Sequence, residues 1–279
     1  MTINLSRVVL AASTAAMLVL TGGATVSPAD EATALAAGGN TLPTPGIKDV
    51  AQSTPTGSAA GSTAAGSSAA SPAATGASAV GALFSGGEHF CSASVVHSPA
   101  GDLVLTAAHC LGGGTAGLTF VPGYHDGAAP FGSWTVTAEA IPAGWTASAD
   151  QDLDFAFLTV TQSGNPASLE SLTGADRLGV GQGFVNRVTL TGYPDTTEEP
   201  VVCTNTTVQA DLYQQRIACP GFPDGTSGGP WITAPDPETG LGTVVGVIGG
   251  YEQGGDTPDV SYSAYFDDDI QKLYTSVTG

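Results

Sequence analysis

Basic side chains are scarce in this chain. Its 279 residues include 6 Lys and Arg against 25 Asp and Glu, which gives a formal net charge of −19 at pH 7. Nucleic acids and anionic lipid surfaces bind proteins through clustered positive charge, so this balance argues against either as a partner. We expect most of the carboxylates to lie on the surface, where they keep the protein soluble.

A long apolar run is missing as well. The N-terminal run Val8–Leu20 spans about 13 residues, fewer than the ~20 that a membrane-spanning helix requires. Arg7 precedes it and small residues follow it, a pattern typical of a secretory signal peptide covering residues 1–24. No cysteine follows the apolar core, which argues against a lipid anchor. We therefore expect a secreted, extracellular protein that has no membrane association after removal of the signal peptide.

Residues 25–78 contain no aromatic side chain and consist mainly of Ala, Gly, Ser, Thr and Pro. Such a composition cannot bury enough apolar surface to offset the entropy that is lost on ordering. We expect a disordered linker or pro-segment there. The remaining residues, 79–279, have a length that suits one β-rich domain.

Only four cysteines are present, and all of them lie within residues 79–279. An even number of cysteines in an exported chain indicates disulfides, because oxidising compartments keep such pairs closed. The alternative is that the thiols are reduced and merely buried. The acidic stretches contain no twelve-residue calcium loop pattern, and we expect no metal and no other cofactor.

Short apolar runs punctuated by Gly, Pro and Asp recur along this domain. Leu103–Thr106, Phe155–Val160 and Thr243–Ile248 have the length and the residue types that strands favour. The pattern predicts an all-β barrel or sandwich. Helical periodicity is convincing only at the C-terminus, where Asp267–Asp269 fit the first turn of a helix through about Val277, because negative charge there meets the helix dipole favourably.

The segment Asp224–Pro230 holds Ser227 among three glycines. Glycine lacks a Cβ, so such a loop can expose a hydroxyl and turn backbone N–H groups toward one point beside it. Acyl transfer needs both features: a nucleophile, and donors for the oxyanion that forms when it attacks. The same residues also suit a plain tight turn, so the interpretation depends on a base and an acid elsewhere in the chain.

A candidate base and a candidate acid precede this serine. His109 follows the apolar run Leu103–Leu105, so the pattern predicts an imidazole at the end of a strand. Cys110 comes directly after it. Asp154 opens the apolar strand Phe155–Val160, so its carboxylate is drawn toward the interior. A buried carboxylate needs a partner, and an imidazole N–H supplies one. The other three histidines have no comparable setting.

His109, Asp154 and Ser227 occur in this order, at spacings of 45 and 73 residues. The segments around them begin at Thr106, Asp154 and Asp224 and resemble the histidine, aspartate and serine motifs of the trypsin/chymotrypsin-like serine peptidases. Each motif is weak alone, but all three in order form a strong joint signal. The resemblance extends over the β-rich domain and not over the residues before it.

This resemblance implies an all-β fold of two antiparallel six-stranded β-barrels with the active site between them, completed by the short C-terminal helix. It also implies a serine endopeptidase that acts on proteins or peptides, and we expect a monomer. Ser227 would attack the peptide carbonyl, His109 would act as general base and acid, and Asp154 would orient the imidazole. The N–H groups of Gly225 and Ser227 would form the oxyanion hole.

The resemblance further implies the pairing of the cysteines. Cys91 and Cys110, which flank a pair of strands before the histidine, correspond to a disulfide of the family. Cys203 and Cys219 are left for a second bridge, which would brace the segment leading to Ser227.

Several positions depart from the family pattern. Thr226 stands where most members carry an aspartate that pairs with a new N-terminal amine, so we expect activity without such an amine. The wall of the cleft that usually reads Ser-Trp-Gly has Gly249, Gly250 and Tyr251 instead, and a strand there could still bond an extended peptide.

The specificity pocket also departs from the pattern. Gly221, six residues before the serine, places no acid at the position that sets the preference for the substrate side chain preceding the scissile bond. Asp259 is a candidate for the floor of this pocket, where an unpaired carboxylate would favour Lys or Arg. Its alternative interpretation is a solvated loop charge.

Two other functions remain open. A protease-like binding module would keep the fold but would normally have lost a member of the triad, and all three are present. A serine esterase is suggested by the Gly-x-Ser-x-Gly pattern of Gly225–Gly229. However, α/β-hydrolases place this motif before a helix and the histidine last in the chain, which does not fit Pro230–Ile232 or His109.

Overall fold

A closed barrel forms the first half of the region that the structure, a computed structural model, describes, namely residues 78–279. Its six strands are β1 (Val80–Ser85), β2 (Glu88–Val95), β3 (Leu103–Thr106), β4 (Thr119–Pro122), β5 (Trp134–Ala140) and β6 (Ala156–Thr161). Hydrogen bonds connect them in the order β1-β2-β3-β6-β5-β4, and β4 returns to pair with β1. The strands turn apolar side chains such as Leu83, Phe120 and Leu158 into the barrel core.

Eight further strands form the second half. They are β7 (Arg177–Leu178), β8 (Arg187–Gly192), β9 (Val201–Thr206), β10 (Val208–Gln209), β11 (Gln214–Ala218), β12 (Pro230–Thr233), β13 (Thr243–Val247) and β14 (Val260–Ala264). One sheet has the order β7-β13-β12-β8-β9, and the other has the order β10-β11-β14. The core between the two sheets includes Leu190, Ile217 and Trp231.

Side chains join these two sheets into a second barrel. On one seam the Val247 N–H donates to Ser263 Oγ at 3.1 Å, and on the other Asn205 Nδ2 donates to the Ala218 carbonyl at 2.7 Å. The six strands β9, β8, β12, β13, β14 and β11 thereby enclose the second core. The predicted fold of two barrels is confirmed, with two additions: β7 pairs in parallel with β13, and the short β10 extends one edge.

Two disulfides are present, one in each half. Cys91 on β2 is bonded to Cys110, and Cys203 on β9 is bonded to Cys219 directly after β11. These are the pairings that the family resemblance implies. The first ties the turn after β3 to β2, and the second reinforces the seam between β9 and β11.

Helices are few and short. The α-helices are α1 (Ala143–Ser148), α2 (Leu169–Thr173) and α3 (Asp268–Thr278). The predicted C-terminal helix is α3, and the Asp267 side chain caps it by accepting the Asp269 N–H at 2.8 Å. Among residues 78–279, no helix is long and apolar enough to cross a membrane. The expected signal peptide (1–24) and all but the last residue of the expected linker (25–78) lie outside the described residues.

Asp176 is a buried carboxylate at the junction of the two barrels. Its backbone N–H donates to the carbonyl of Val95, at the end of β2, and its Oδ1 accepts the N–H of Gly242, just before β13, at 2.7 Å. Its Oδ2 has no partner within residues 78–279. Burial raises the pKa of Asp176 from 3.8 to about 6. Folding therefore stabilises the neutral form of this carboxyl group relative to the unfolded chain.

A carboxyl group whose pKa is higher in the folded than in the unfolded chain holds its proton more tightly when folded. The contribution of Asp176 to stability therefore falls as the pH rises from about 4 to about 6. In Asp176→Asn the side chain stays neutral and its oxygen can still accept the Gly242 N–H. We expect the variant to exceed the wild type in free energy of unfolding by ~1–3 kcal/mol at pH 8 and to match it near pH 4. Urea unfolding followed by tryptophan fluorescence measures this, and an equal difference at both pH values would contradict it.

Candidate active site

His109 lies on a 3-10 turn, Ala108–Leu111, that directly follows β3. The small residues before it are fully buried, and the disulfide between Cys91 and Cys110 fixes the turn to β2. Only 10% of the His109 side chain is exposed. The first barrel therefore fixes the position of the imidazole.

Asp154 lies at the end of a 3-10 turn, Gln151–Leu153, shortly before β6, and is completely buried. Its Oδ1 accepts the backbone N–H of His109 at 2.9 Å. Its Oδ2 accepts His109 Nδ1 at 2.8 Å and the Gly250 N–H at 2.8 Å. An ionised carboxylate only accepts, so Nδ1 carries the proton of the neutral ring. Nε2 is left as the acceptor, which is the tautomer that a general base requires.

Ser227 lies in the loop between β11 and β12, flanked by glycines that the backbone requires. Gly225 and Gly228 have φ of +89° and +80°, in the left-handed region that disfavours other residues. A Cβ on Gly225 would lie 2.3 Å from the backbone nitrogen of Asp195, and one on Gly228 would lie 2.2 Å from the carbonyl oxygen of Ser92. The glycine pattern of the sequence thus reflects close contact of this loop with its neighbours.

His109 and Ser227 line one open cleft of about 540 Å³ between the barrels. Phe90, Gly225 and Gln253 also contribute to its walls. Within the described residues, no hydrogen bond joins Ser227 Oγ to His109. Such bonds often tighten only when substrate binds. The structure therefore brings base and serine to the same cleft.

The N–H groups of Gly225 and Ser227 are free to bind a substrate oxygen. Neither donates to an acceptor within residues 78–279, whereas the nearby Gly228 N–H donates to the Ile248 carbonyl at 2.7 Å. Two neighbouring free donors beside a serine are the arrangement that stabilises an oxyanion.

A second cavity, of about 310 Å³, opens beside Ser227. Apolar and acidic residues of the serine loop and of neighbouring segments line this cavity. The apolar lining residues include Phe222, Pro223 and Ile248, and the acidic ones are Asp195, Asp224 and Asp256. The cavity can therefore hold an apolar stem and a cationic end.

Gly221 and Asp259, two residues expected in this pocket, do not line it. Asp259 is exposed, and its backbone carbonyl accepts the Cys219 N–H at 2.9 Å. The expectation of an Asp259 carboxylate at the pocket floor is corrected accordingly: the acids that line the cavity are Asp195, Asp224 and Asp256.

The expected wall segment bends into a turn instead of continuing as a strand. Its three N–H groups, those of Gly249, Gly250 and Tyr251, donate to Tyr262 O, Asp154 Oδ2 and Gln214 Oε1. A 3-10 turn follows at Tyr251–Gly254, and it contains Glu252 and Gln253 with φ of 46° and 55°. Because these N–H groups already have acceptors, they are not free to donate to an extended peptide, the role that the sequence had suggested.

Ser92 on β2 is a site residue that the sequence reasoning missed. Its N–H donates to the Ser227 carbonyl at 2.6 Å. The available signal is indirect: Ser92 follows Cys91, whose disulfide partner Cys110 adjoins His109. Asp195 and Asp256 were also missed, because nothing near them in the sequence marks them as lining residues.

Cys91, His109 and Cys110 place their donor atoms within 4.8 Å of one another. Both cysteine sulfurs are bonded in the disulfide, so neither offers the thiolate that binds a metal. This group of residues therefore does not fit a metal site.

A base oriented by a buried acid, in one cleft with a serine beside free N–H groups, is the arrangement of a serine hydrolase. Comparison with known proteins identifies the family. Residues 91–247, more than half of the chain, match the family model of the trypsin-like peptidase domain. The protein belongs to this family of serine endopeptidases.

Solved structures agree with this assignment. The protein is similar to the protease Anisep from Arthrobacter nicotinovorans, with 28% identity and a TM-score of 0.62 over 73% of this chain and 97% of that one. It is also similar to the thermostable serine protease AL20 from an extremophilic microorganism, with 25% identity and a TM-score of 0.63 over 73% and 98%. A Glu endopeptidase at 15% identity, with a TM-score of 0.57 over 72% and 91%, shares the fold. No protein with a curated description matches the chain.

Thr226 is buried and satisfied within its own loop. Its Oγ1 donates to the Pro223 carbonyl at 2.6 Å, and its side chain packs against Gly192, where an added Cβ would lie 2.7 Å from the Thr226 Cβ. This neutral side chain offers no charge to an N-terminal amine. Ala79 is buried in the core of the first barrel, and β1 starts at the next residue.

We expect the protein to hydrolyse peptides while residues still precede Ala79, because the serine loop does not depend on a free amine. The test combines labelling by a fluorophosphonate probe with mass spectrometry of the N-terminus of the labelled chain. Acetylation of the N-terminal amine should leave the rate of peptide hydrolysis within about twofold. Activity that appears only after cleavage at one defined residue would contradict this expectation.

Proposed function

We propose that the protein is a secreted serine endopeptidase that hydrolyses peptide bonds through an acyl-enzyme on Ser227. The observation that carries this proposal is the 2.8 Å bond between His109 Nδ1 and the buried Asp154 carboxylate, in the cleft that Ser227 also lines. That bond leaves Nε2 free to take a proton. The unbonded N–H groups of Gly225 and Ser227 support the same reaction.

In the proposed mechanism Ser227 Oγ attacks the peptide carbonyl while His109 Nε2 takes the hydroxyl proton. The tetrahedral oxyanion binds the N–H groups of Gly225 and Ser227, and Asp154 stabilises the imidazolium. The imidazolium gives its proton to the amine as the carbon–nitrogen bond breaks. Water then attacks the acyl-enzyme by the same path, with His109 again as the base, and releases the carboxylic acid product and Ser227.

Replacement of the nucleophile tests this assignment. We expect Ser227→Ala to lose labelling by a fluorophosphonate probe and to lose peptide hydrolysis by at least about 10³-fold, because only binding and oxyanion stabilisation remain. Its circular dichroism should match the wild type. Ser133→Ala, an exposed serine just before β5, is the control and should keep both signals. Substantial hydrolysis by Ser227→Ala would contradict the proposal.

We further propose that the cavity beside Ser227 takes the side chain preceding the scissile bond and favours Lys or Arg there. Phe222 and Ile248 can contact the aliphatic stem, while three carboxylates face the cationic end. No Lys or Arg lines this cavity. Lysine and arginine therefore have complementary charge and an apolar stem of suitable chemistry.

A peptide library that varies this residue tests the preference. We expect the highest kcat/KM for Arg or Lys, and we expect Asp256→Asn to reduce the ratio of Arg to Leu about two- to fivefold, as suits an exposed carboxylate. Glu139→Gln, which removes one negative charge from an exposed position on β5, should leave the ratio unchanged. Faster cleavage after Leu than after Arg by the wild type would contradict the proposal.

Export and the oligomeric state complete the proposed function. Two disulfides and the N-terminal pattern of residues 1–24 support an extracellular protein, because disulfides persist in oxidising compartments. The acidic balance supports peptide or protein substrates and argues against nucleic acid. We propose that the protein acts as a monomer, since the base, the acid and the serine all come from one chain.

A further inference from the structure

Ser92 is a fully buried polar residue whose hydrogen bonds all point to the serine loop and its neighbours. Its hydroxyl donates to the Gly225 carbonyl at 3.1 Å and accepts the Tyr193 N–H at 2.8 Å. Its backbone N–H donates to the Ser227 carbonyl at 2.6 Å, and its carbonyl accepts the Thr106 hydroxyl at 2.8 Å. One residue of the first barrel therefore holds two residues of the loop that carries the nucleophile.

The bond to the Gly225 carbonyl has the largest consequence for the reaction. The peptide between Gly225 and Thr226 lies between the two peptides whose N–H groups are the proposed oxyanion donors. Gly225 has φ of +89° and no Cβ, so its own sterics do little to restrain the rotation of that peptide. The N–H of this peptide donates to the Pro223 carbonyl at 3.2 Å within the same loop, and the Ser92 hydroxyl adds a restraint from outside the loop by binding the carbonyl. The Ser92 hydroxyl is itself held by the Tyr193 N–H.

The loop needs such a restraint because its other common anchor is missing. In most trypsin/chymotrypsin-like serine peptidases an aspartate before the nucleophile pairs with an N-terminal amine. Here Thr226 occupies that position, and its hydroxyl donates to the Pro223 carbonyl within the same loop. The contacts that tie the loop to the rest of the protein include the two from Ser92, which arise more than 130 residues earlier in the chain.

We propose that Ser92 is a positioning residue that holds the oxyanion donors of Gly225 and Ser227 in their working geometry and thereby replaces the anchor that an N-terminal amine would provide. This inference rests on the proposed function. Ser92 touches neither substrate nor the reacting atoms, and it acts through the Gly225 peptide. Removal of one oxyanion donor typically lowers kcat by 10²–10³, so misplacement of the pair sets the scale of the expected loss.

Ser94 provides a matched control on the same strand. It is also fully buried, two residues further along β2, and its hydroxyl has no partner within residues 78–279. Ser92→Ala and Ser94→Ala therefore delete the same atom from equally buried positions of one strand. Only the first deletion removes a hydrogen bond to the serine loop, the one to the Gly225 carbonyl.

The test measures kcat and KM for a peptide substrate at 10 °C, per active site titrated with a fluorophosphonate. We expect Ser92→Ala to lower kcat about 10- to 100-fold with KM within about threefold of the wild type, and Ser94→Ala to stay within about threefold in both. The inhibition constant of a peptide aldehyde, whose adduct with Ser227 places an oxyanion at the two N–H groups, should rise by the same factor as kcat falls. The matching peptide alcohol, which forms no adduct, should bind all three proteins equally.

Ser92→Thr extends the test if the alanine variant does not fold, because threonine keeps the hydroxyl. We expect kcat within about threefold of the wild type, and a folded Ser92→Thr protein that has lost tenfold or more would overturn the inference. A folded Ser92→Ala protein with unchanged kcat and an unchanged ratio of aldehyde to alcohol affinity would also overturn it. In both cases an active, probe-labelled wild type would leave the endopeptidase function standing. A wild type that is neither labelled nor active would instead refute the proposed function itself.

Discussion

The buried carboxylate of Asp154 is the constraint on which the site depends. A charge without access to water is costly unless hydrogen bonds compensate it, and Asp154 accepts three. Two come from His109 in the first barrel, and the third comes from Gly250 in the second. The carboxylate is satisfied only when both barrels are folded and docked, so the arrangement that orients the base also joins the two halves. Gly249 fits this contact, because a Cβ there would lie 3.0 Å from Asp154 Oδ2.

Two consecutive residues of β2 connect the base and the nucleophile to the first barrel. Cys91 forms a disulfide with Cys110, next to His109. Ser92 forms hydrogen bonds with the carbonyl groups of Ser227 and Gly225. The same short segment of β2 therefore holds both the base and the serine loop in position. Strand positions in a closed barrel are held on both sides by hydrogen bonds, which makes them precise supports for a site that loops must complete. Within residues 78–279, these contacts to the base and to the serine loop involve no chain-end amine.

The features that could be predicted are those marked by a short pattern in neighbouring residues of the sequence. His109, Asp154 and Ser227 could be proposed because strand ends, a buried acid and a glycine-rich loop each leave a short pattern, and their order indicated the family that the comparison shows. The C-terminal helix could be located from the acidic first turn that begins at Asp267. Ser92 had no such signal, because its partners Tyr193 and Gly225 lie 101 and 133 residues away.

The pocket shows the same limit more clearly. Asp259 was expected on its floor, yet Asp259 is exposed and does not line the cavity. Asp256, only three residues earlier, faces the cavity. The turn at Tyr251–Gly254 adopts left-handed backbone at Glu252 and Gln253, residue types that rarely do so, and this bend redirects the chain. Loop direction of this kind depends on tertiary contacts, which the local pattern does not contain.

The most direct test is the two-bond nitrogen–proton spectrum of the neutral His109 ring, assigned by comparison with His109→Gln. The account predicts a proton on Nδ1 and a bare Nε2 in the wild type, and a change of tautomer in Asp154→Asn, whose amide can donate to Nδ1. A neutral wild-type ring that carries its proton on Nε2 would contradict the central claim that Asp154 prepares His109 to act as the base for Ser227.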